Sequence, residues 1–132
     1  MKILALESSA VSASVALTED DKLIAQSFQN CGLTHSRTLL PMAEALLANC
    51  GVSLSEVDAF AVAHGPGSFT GVRICLASAK GIAIGLGVPL FGVSTSDAQA
   101  WQQWANGVRG SVVVLGDAMR KEVYPVRYHV TD

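Results

Sequence analysis

Three strand-like runs crowd the start of the chain, residues 2–8, 11–18 and 22–28, parted only by Ser8-Ser9 and by Glu19-Asp20-Asp21. Parallel neighbours need a crossover of a dozen or more residues, so runs this close can pair only as antiparallel hairpins. After residues 30–34 the period changes. Leu39, Ala43, Leu46, Leu47 and Cys50 recur at helical spacing, Thr34 or Ser36 can cap the start, and Gly51 closes the end. Pro41 must lie in the first turn of that helix or kink it. Residues 57–63 form a continuous apolar run ending at His64, which reads as a buried strand. A glycine-rich loop follows, then a helix over about 70–86, a short strand at 90–93 and a Ser- or Thr-capped helix over 96–105. Residues 107–110 read as a linker, and 112–115 and 122–129 as two strands joined by a turn at 117–121.

One compact core is the expectation for 132 residues. Half of them are apolar but only 6% aromatic, which suits helices packed tightly on a sheet buried on both faces and argues against a helical bundle. Nine Lys or Arg stand against eleven Asp or Glu with no block of like charge, so the chain lacks the basic stripe needed to hold a nucleic acid alone. Cys31, Cys50 and Cys75 are odd in number and widely spaced, which disfavours a disulfide framework or zinc site and fits a reducing cytosol. The apolar start MKILALESS is too short for a signal peptide. Residues 81–96 are interrupted by Gly85, Gly87, Pro89 and Gly92 and fall short of the roughly 20 apolar residues of a span. A soluble cytoplasmic protein, with no membrane partner, is expected.

Three antiparallel strands followed by helix, strand, helix, strand, helix is the order of the ribonuclease-H-like half-domain of the actin, sugar kinase and Hsp70 (ASKHA) superfamily. The fold class expected is therefore α/β, a mixed sheet with helices on both faces. Residues 1–109 would form that half-domain, and 110–132 the first hairpin of a second one. A lone hairpin is marginal in water, so a fragment of a longer protein is expected.

The loop HGPGSFTGVRI, from His64 to Ile74, resists the usual catalytic readings. A phosphate-binding P-loop needs Lys and a hydroxyl residue after its last glycine, whereas Gly71 is followed by Val72 and Arg73. Gly65, Gly67 and Gly71 approximate a dinucleotide fingerprint, but the last interval is one residue too long and no acidic residue ends a strand about 20 residues on. Gly67-Ser68-Phe69-Thr70-Gly71 is no nucleophile elbow. Backbone mechanics remain: Gly65 and Gly67 can take positive φ around Pro66, and Ser68 or Thr70 can cap the helix that Gly71 helps to begin. A helix start also offers free N–H groups to an anion, so a nucleotide near Ser8, Ser9, Gly67 and Ser68 stays open as a second reading.

The run AVAHGPGSFTGVRICLASAKGIAIG, with MKILALESSAVSASVAL, HSRTLLPMAEALL, GVPLFGVST and DAMRKEVY, resembles the bacterial accessory subunits of tRNA threonylcarbamoyladenosine synthesis, the TsaB or YeaZ family. The similarity extends in order over essentially the whole chain. It implies two actin-like half-domains and no protease machinery, despite the family's older M22 glycoprotease label. It also implies pairing through the first two helices with a TsaD-like catalytic subunit, or with a second copy as a homodimer, and a TsaE-like ATPase in the wider complex. ATP and tRNA would then belong to the assembled complex rather than to this chain.

Departures from the family pattern sharpen that expectation. The catalytic relatives hold a metal with H-x-x-x-H, but His35 is followed four positions on by Leu39, so no metal site and no catalytic residue are expected here. Where members begin Asp-Thr-Ser, this chain has Glu7-Ser8-Ser9, without the glycine that lets a first turn approach a triphosphate. Near the end the family's Asp-Ala-Arg is Asp117-Ala118-Met119, with Arg120 one place later, which separates that arginine from its usual position.

The helix after the loop supports partnership on its own evidence. Val72, Cys75, Leu76, Ala79, Ile82, Ala83 and Leu86 would make a sheet-facing stripe, yet Ile74, Ala77, Ser78, Gly81, Ile84 and Gly85 lie elsewhere and are also apolar or small. Such a helix needs cover on two sides, from a partner or from a second half-domain. With His35, Arg37 and Leu40 of the preceding helix, these residues are the expected partner interface. The leading expectation is a noncatalytic scaffold, and the alternative is an ATP-binding enzyme of the same superfamily.

Overall fold

The computed structural model describes residues 1–8, 12–30, 35–65, 69–119 and 122–131, with the backbone alone over 35–37, 69, 115–119 and 122–125. Strands β1 (Lys2–Glu7), β2 (Ala13–Glu19) and β3 (Lys22–Gln29) form the antiparallel meander. Helix α1 (His35–Asn49) leads through a 3-10 turn at Leu54–Glu56 to β4 (Ala59–Ala63), helix α2 (Phe69–Leu86), β5 (Leu90–Val93) and helix α3 (Thr95–Ala105). The hairpin β6 (Gly110–Met119) and β7 (Glu122–Val130) ends the order.

The first five strands make one mixed sheet in the order β3-β2-β1-β4-β5, with β1, β4 and β5 parallel. This is the α/β half-domain expected from the element order. Alternation on β1 and β2 sends Leu4, Leu6, Val15 and Leu17 to one face, where α1 packs on β2 and β3 and α2 on β4 and β1. Phe60 and Val62 complete that core with Leu39, Met42 and Leu46 of α1 and Ala79 and Ala83 of α2. Each large side chain so buried contributes roughly 1.5–3 kcal/mol.

The opposite face is less covered than the composition suggests. Ile3, Ala5, Ala16 and Ala61 stay half-buried, and Phe91 and Val93 are exposed. Both long helices have gone to the other side. On this face α3 stands at the margin, where Ala98 shares a cleft with Ala5, Ala16 and Ala61.

Local details in part match the sequence reading, as at Gly51, and in part depart from it. Pro41 sits in the second turn of α1, exposed. Gly51 ends α1 with φ 67°, its N–H donating to Ala48 and the N–H of Val52 to Leu47, as a left-handed cap requires. The cap of α3 is Ser94, which accepts from the Asp97 N–H at 3.3 Å. The final hairpin is longer than expected: Asp117 lies within β6 opposite Val123 rather than in a turn, because ladder pairing between two long strands outweighs the local turn preference of Asp.

Candidate functional site

Ligands of open α/β sheets bind outside the carboxyl ends of parallel strands where the chain switches direction, which here is between β1 and β4. Ser8 follows β1 at that point and is fully buried, its hydroxyl donating to the Gly71 carbonyl at 2.6 Å. One helical turn further along α2, the Cys75 thiol donates back to the Leu6 carbonyl at 3.2 Å. The two contacts share a register, since two residues of strand rise about 6.6 Å and four of helix about 6.0 Å. Burial pushes the Cys75 thiol up to about 11, against a smaller opposing effect of its hydrogen bond with Ser8. It is therefore a neutral packing residue with a weak donor, not a nucleophile.

The other side of the loop is held by α3. Gly65 is buried with φ 105°, a conformation that favours glycine. Its carbonyl accepts from the Thr95 N–H at 2.9 Å, and its own N–H donates to Thr95 Oγ1 at 3.2 Å. The N–H of Thr95 is one of the four that a helix start leaves without an internal partner, so the loop and α3 satisfy each other. The exposed His64 ring lies over Gly92, where an added Cβ would come within 3.0 Å of its Cδ2.

Ser8 was a candidate nucleotide contact, but to serve it would have to leave full burial and give up the Gly71 carbonyl. The other candidates, Ser9, Gly67 and Ser68, lie outside the described residues, as does Pro66. Of the remaining loop residues, Gly71 is buried and Thr70 exposed. Among the described residues no group of three or more His, Cys, Asp or Glu side chains is placed to hold a metal.

Helix α2 divides differently from its sequence pattern. Its buried seam is Gly71, Cys75, Ala79 and Ala83, small residues that let the helix lie close on the sheet, while Leu76 and Leu86 turn outward. Ala77, Gly81, Ile84 and Gly85 are exposed on the outer side, and Ile74 and Ser78 are half-buried on its flanks. Ile84 is 71% exposed, and a Cβ added at Gly81 or Gly85 would meet nothing within 4 Å. On α1, Leu40 is half-buried, and the side chains of His35 and Arg37 lie outside the described residues.

Sequence reasoning missed Thr95 and the pairing of Cys75 with β1. The Ser94-Thr95-Ser96 run signalled a cap, but nothing local says that one hydroxyl reaches a loop 30 residues earlier. It also missed a polar latch on the hairpin, where the Tyr128 hydroxyl donates to the Asp97 carboxylate beside the cap of α3. Desolvation first, then Asp97, holds the Tyr128 hydroxyl above its usual range. No described helix is long and apolar enough to cross a membrane.

Comparison with known proteins places this geometry in context. The family model described as TsaD, tRNA N6-adenosine threonylcarbamoyltransferase, matches residues 24–132. The tRNA threonylcarbamoyladenosine biosynthesis protein TsaB of Escherichia coli (strain K12) is 39% identical over 128 residues, covering 97% of this chain and 55% of that protein. TsaB of Bacillus subtilis (strain 168) is 35% identical over 130 residues, covering 97% and 55%. The solved structure of YeaZ from Pseudomonas aeruginosa superposes with a TM-score of 0.89 at 35% identity, over 98% of this chain and 61% of that one. The chain thus spans a little over half the length of the curated relatives it matches.

Proposed function

The chain belongs to the TsaD family of tRNA N6-adenosine threonylcarbamoyltransferases, and we propose that within it this protein is a noncatalytic accessory subunit for threonylcarbamoyladenosine formation on tRNA, of the kind its TsaB-named relatives represent. The outer face of α2 carries the reading. It sets exposed Ile84 beside Gly81 and Gly85, which leave room for a second helix to approach closely. Such glycines cost a helix up to about 1 kcal/mol each relative to alanine, a cost that close helix packing repays.

A TsaD-like catalytic subunit docks on this face and on α1 and is stabilised in its competent state. In its absence a second copy takes the same place. A TsaE-like ATPase, ATP and tRNA meet the complex rather than this chain, and the site of action is the cytoplasm.

The test is calorimetry of the full-length protein with the purified TsaD-like subunit of its own organism. Parent protein should bind, and Gly81→Leu should weaken binding by roughly tenfold or more by holding the helices apart. Equal affinity of parent and variant would move the interface elsewhere. Submicromolar ATP and magnesium binding with turnover by the protein alone would replace the scaffold with an enzyme.

A further inference from the structure

We propose that β3 is an interface of its own: two copies of this protein join edge to edge through antiparallel pairing of their β3 strands, centred on Gln26, into one continuous sheet. The inference does not depend on the outer face of α2. In the order β3-β2-β1-β4-β5 the joint lies at the terminal strand, whereas α2 packs on β4 and β1.

Among the described residues the free side of β3 pairs with no other strand, and it presents a row of N–H and C=O groups that a further strand can complete. Edge strands are ordinarily blunted by charged side chains, proline or a bulge. Over Lys22–Gln29 the strand has one charge, at its first residue, and no proline. Its bulge falls at Ile24 and leaves residues 25–29 in unbroken register with β2. In place of charge the strand shows apolar side chains, with Phe28 63% exposed and Ile24 42%. Helix α1 does not close the edge, because a groove of about 400 Å³ lined by Ser27, Gln29, Pro41, Ala45 and Asn49 runs between the helix and the strand.

The pattern along β3 points to a second copy as the occupant. Opposite residues of antiparallel strands share a face, so a twofold pairing of β3 with itself must match even positions with even and odd with odd. Two such registers overlap the whole strand. With Gln26 on the axis, Phe28 meets Ile24 of the second copy and Lys22 meets Asn30; with Ala25 on the axis, Phe28 would meet Lys22 and Ile24 would meet Gln26. The first register makes an aromatic to β-branched pair twice, a favourable cross-strand contact. It also holds the two Lys22 charges at opposite ends of the joint, roughly 26 Å apart, where parallel pairing in register would set them side by side. Phe28 stands opposite Ser14 on β2, so both apolar pairs lie on the face of the sheet away from α1.

Sedimentation equilibrium of the full-length protein tests the joint, with Gly81→Leu as the reference so that association through α2 does not contribute. The reference should form a reversible dimer. Phe28→Lys in that background should weaken the dimer by roughly tenfold, since both apolar pairs are lost together, and Ile24→Glu alone should weaken it similarly. Both changes in one chain should restore most of the affinity, because each new lysine then faces a new glutamate across the joint. Within one chain the two positions are about 13 Å apart, too far to pair with each other. Both side chains are exposed, so the variants should keep the melting temperature of the reference; should Phe28→Lys not fold, Phe28→Ser tests the same loss. A dimer indifferent to the change at Phe28, or a double variant no tighter than the single ones, would overturn the proposal. So would a monomeric reference, which would assign the edge to another part of the full-length chain or to a different partner.

Discussion

The Ser8 hydroxyl donates to the Gly71 carbonyl across 2.6 Å, tying the end of the first strand to the first turn of a helix 63 residues later. A helix carbonyl already serves its own ladder, so this second donor adds to the bond of the turn rather than replacing it. The hydroxyl is fully buried, and the bond is what makes that burial tolerable.

Ser8→Ala should therefore lower the stability of the full-length protein by about 1–2 kcal/mol, the worth of a buried hydrogen bond whose acceptor keeps one partner. Urea unfolding measures it. A variant as stable as the parent would mean that the bond contributes nothing.

Cys75 makes stability depend on alkaline pH. Burial holds its thiol at about 11 in the fold, above the ordinary 9.0 of a free thiol, so between these values the unfolded chain releases a proton that the folded one keeps. The stabilisation is fully present below about pH 9 and is lost as pH rises through 11, by about 2–3 kcal/mol in all. Unfolding curves at pH 8 and pH 10.5 should diverge less in Cys75→Ala than in the parent. At neutral pH a thiol reagent should modify the half-buried Cys50 well before Cys75.

Gly81 and Gly85 are helical positions with open space where a side chain would go. Gly81→Ala and Gly85→Ala should each raise the stability of the isolated protein by about 0.5–1 kcal/mol. A fall in melting temperature in either variant would show that the fold itself uses the missing side chain.

Tyr128 fastens the final hairpin to α3 through Asp97. Tyr128→Phe keeps the ring and removes the donor, so amide exchange in β7 should quicken severalfold, in line with about 0.5–1.5 kcal/mol for one exposed hydrogen bond. The same quickening is expected in the parent as pH rises past the normal range of tyrosine, since ionised Tyr128 can no longer donate to a carboxylate. Protection in β7 that ignores both changes would place the hold of the hairpin elsewhere, on Val114, Val130 and Ala100.

By itself the sequence determined the order of elements, the antiparallel start and the class of sheet. Those follow from local physics: the turns at Ser8-Ser9 and Glu19-Asp20-Asp21 leave no room for a crossover, and the periods of α1 and β4 differ. The positive-φ cap at Gly51 was legible for the same reason, since it depends on one residue and its own helix. The specific family resemblance was legible too, because it resides in linear motifs such as GPGSFTGVR. Only the tertiary structure decided which stripe of α2 faces the sheet. Leu76 and Leu86 are as apolar as the core, yet close approach to Phe60 and Val62 selects the smaller Cys75, Ala79 and Ala83. The same holds for Ser8 and Thr95, whose hydroxyls read as turn and cap residues in sequence. Their partners, Gly71 and Gly65, are 63 and 30 residues away, and a hydrogen bond over such a separation exists only once packing has brought β1, α2 and α3 together.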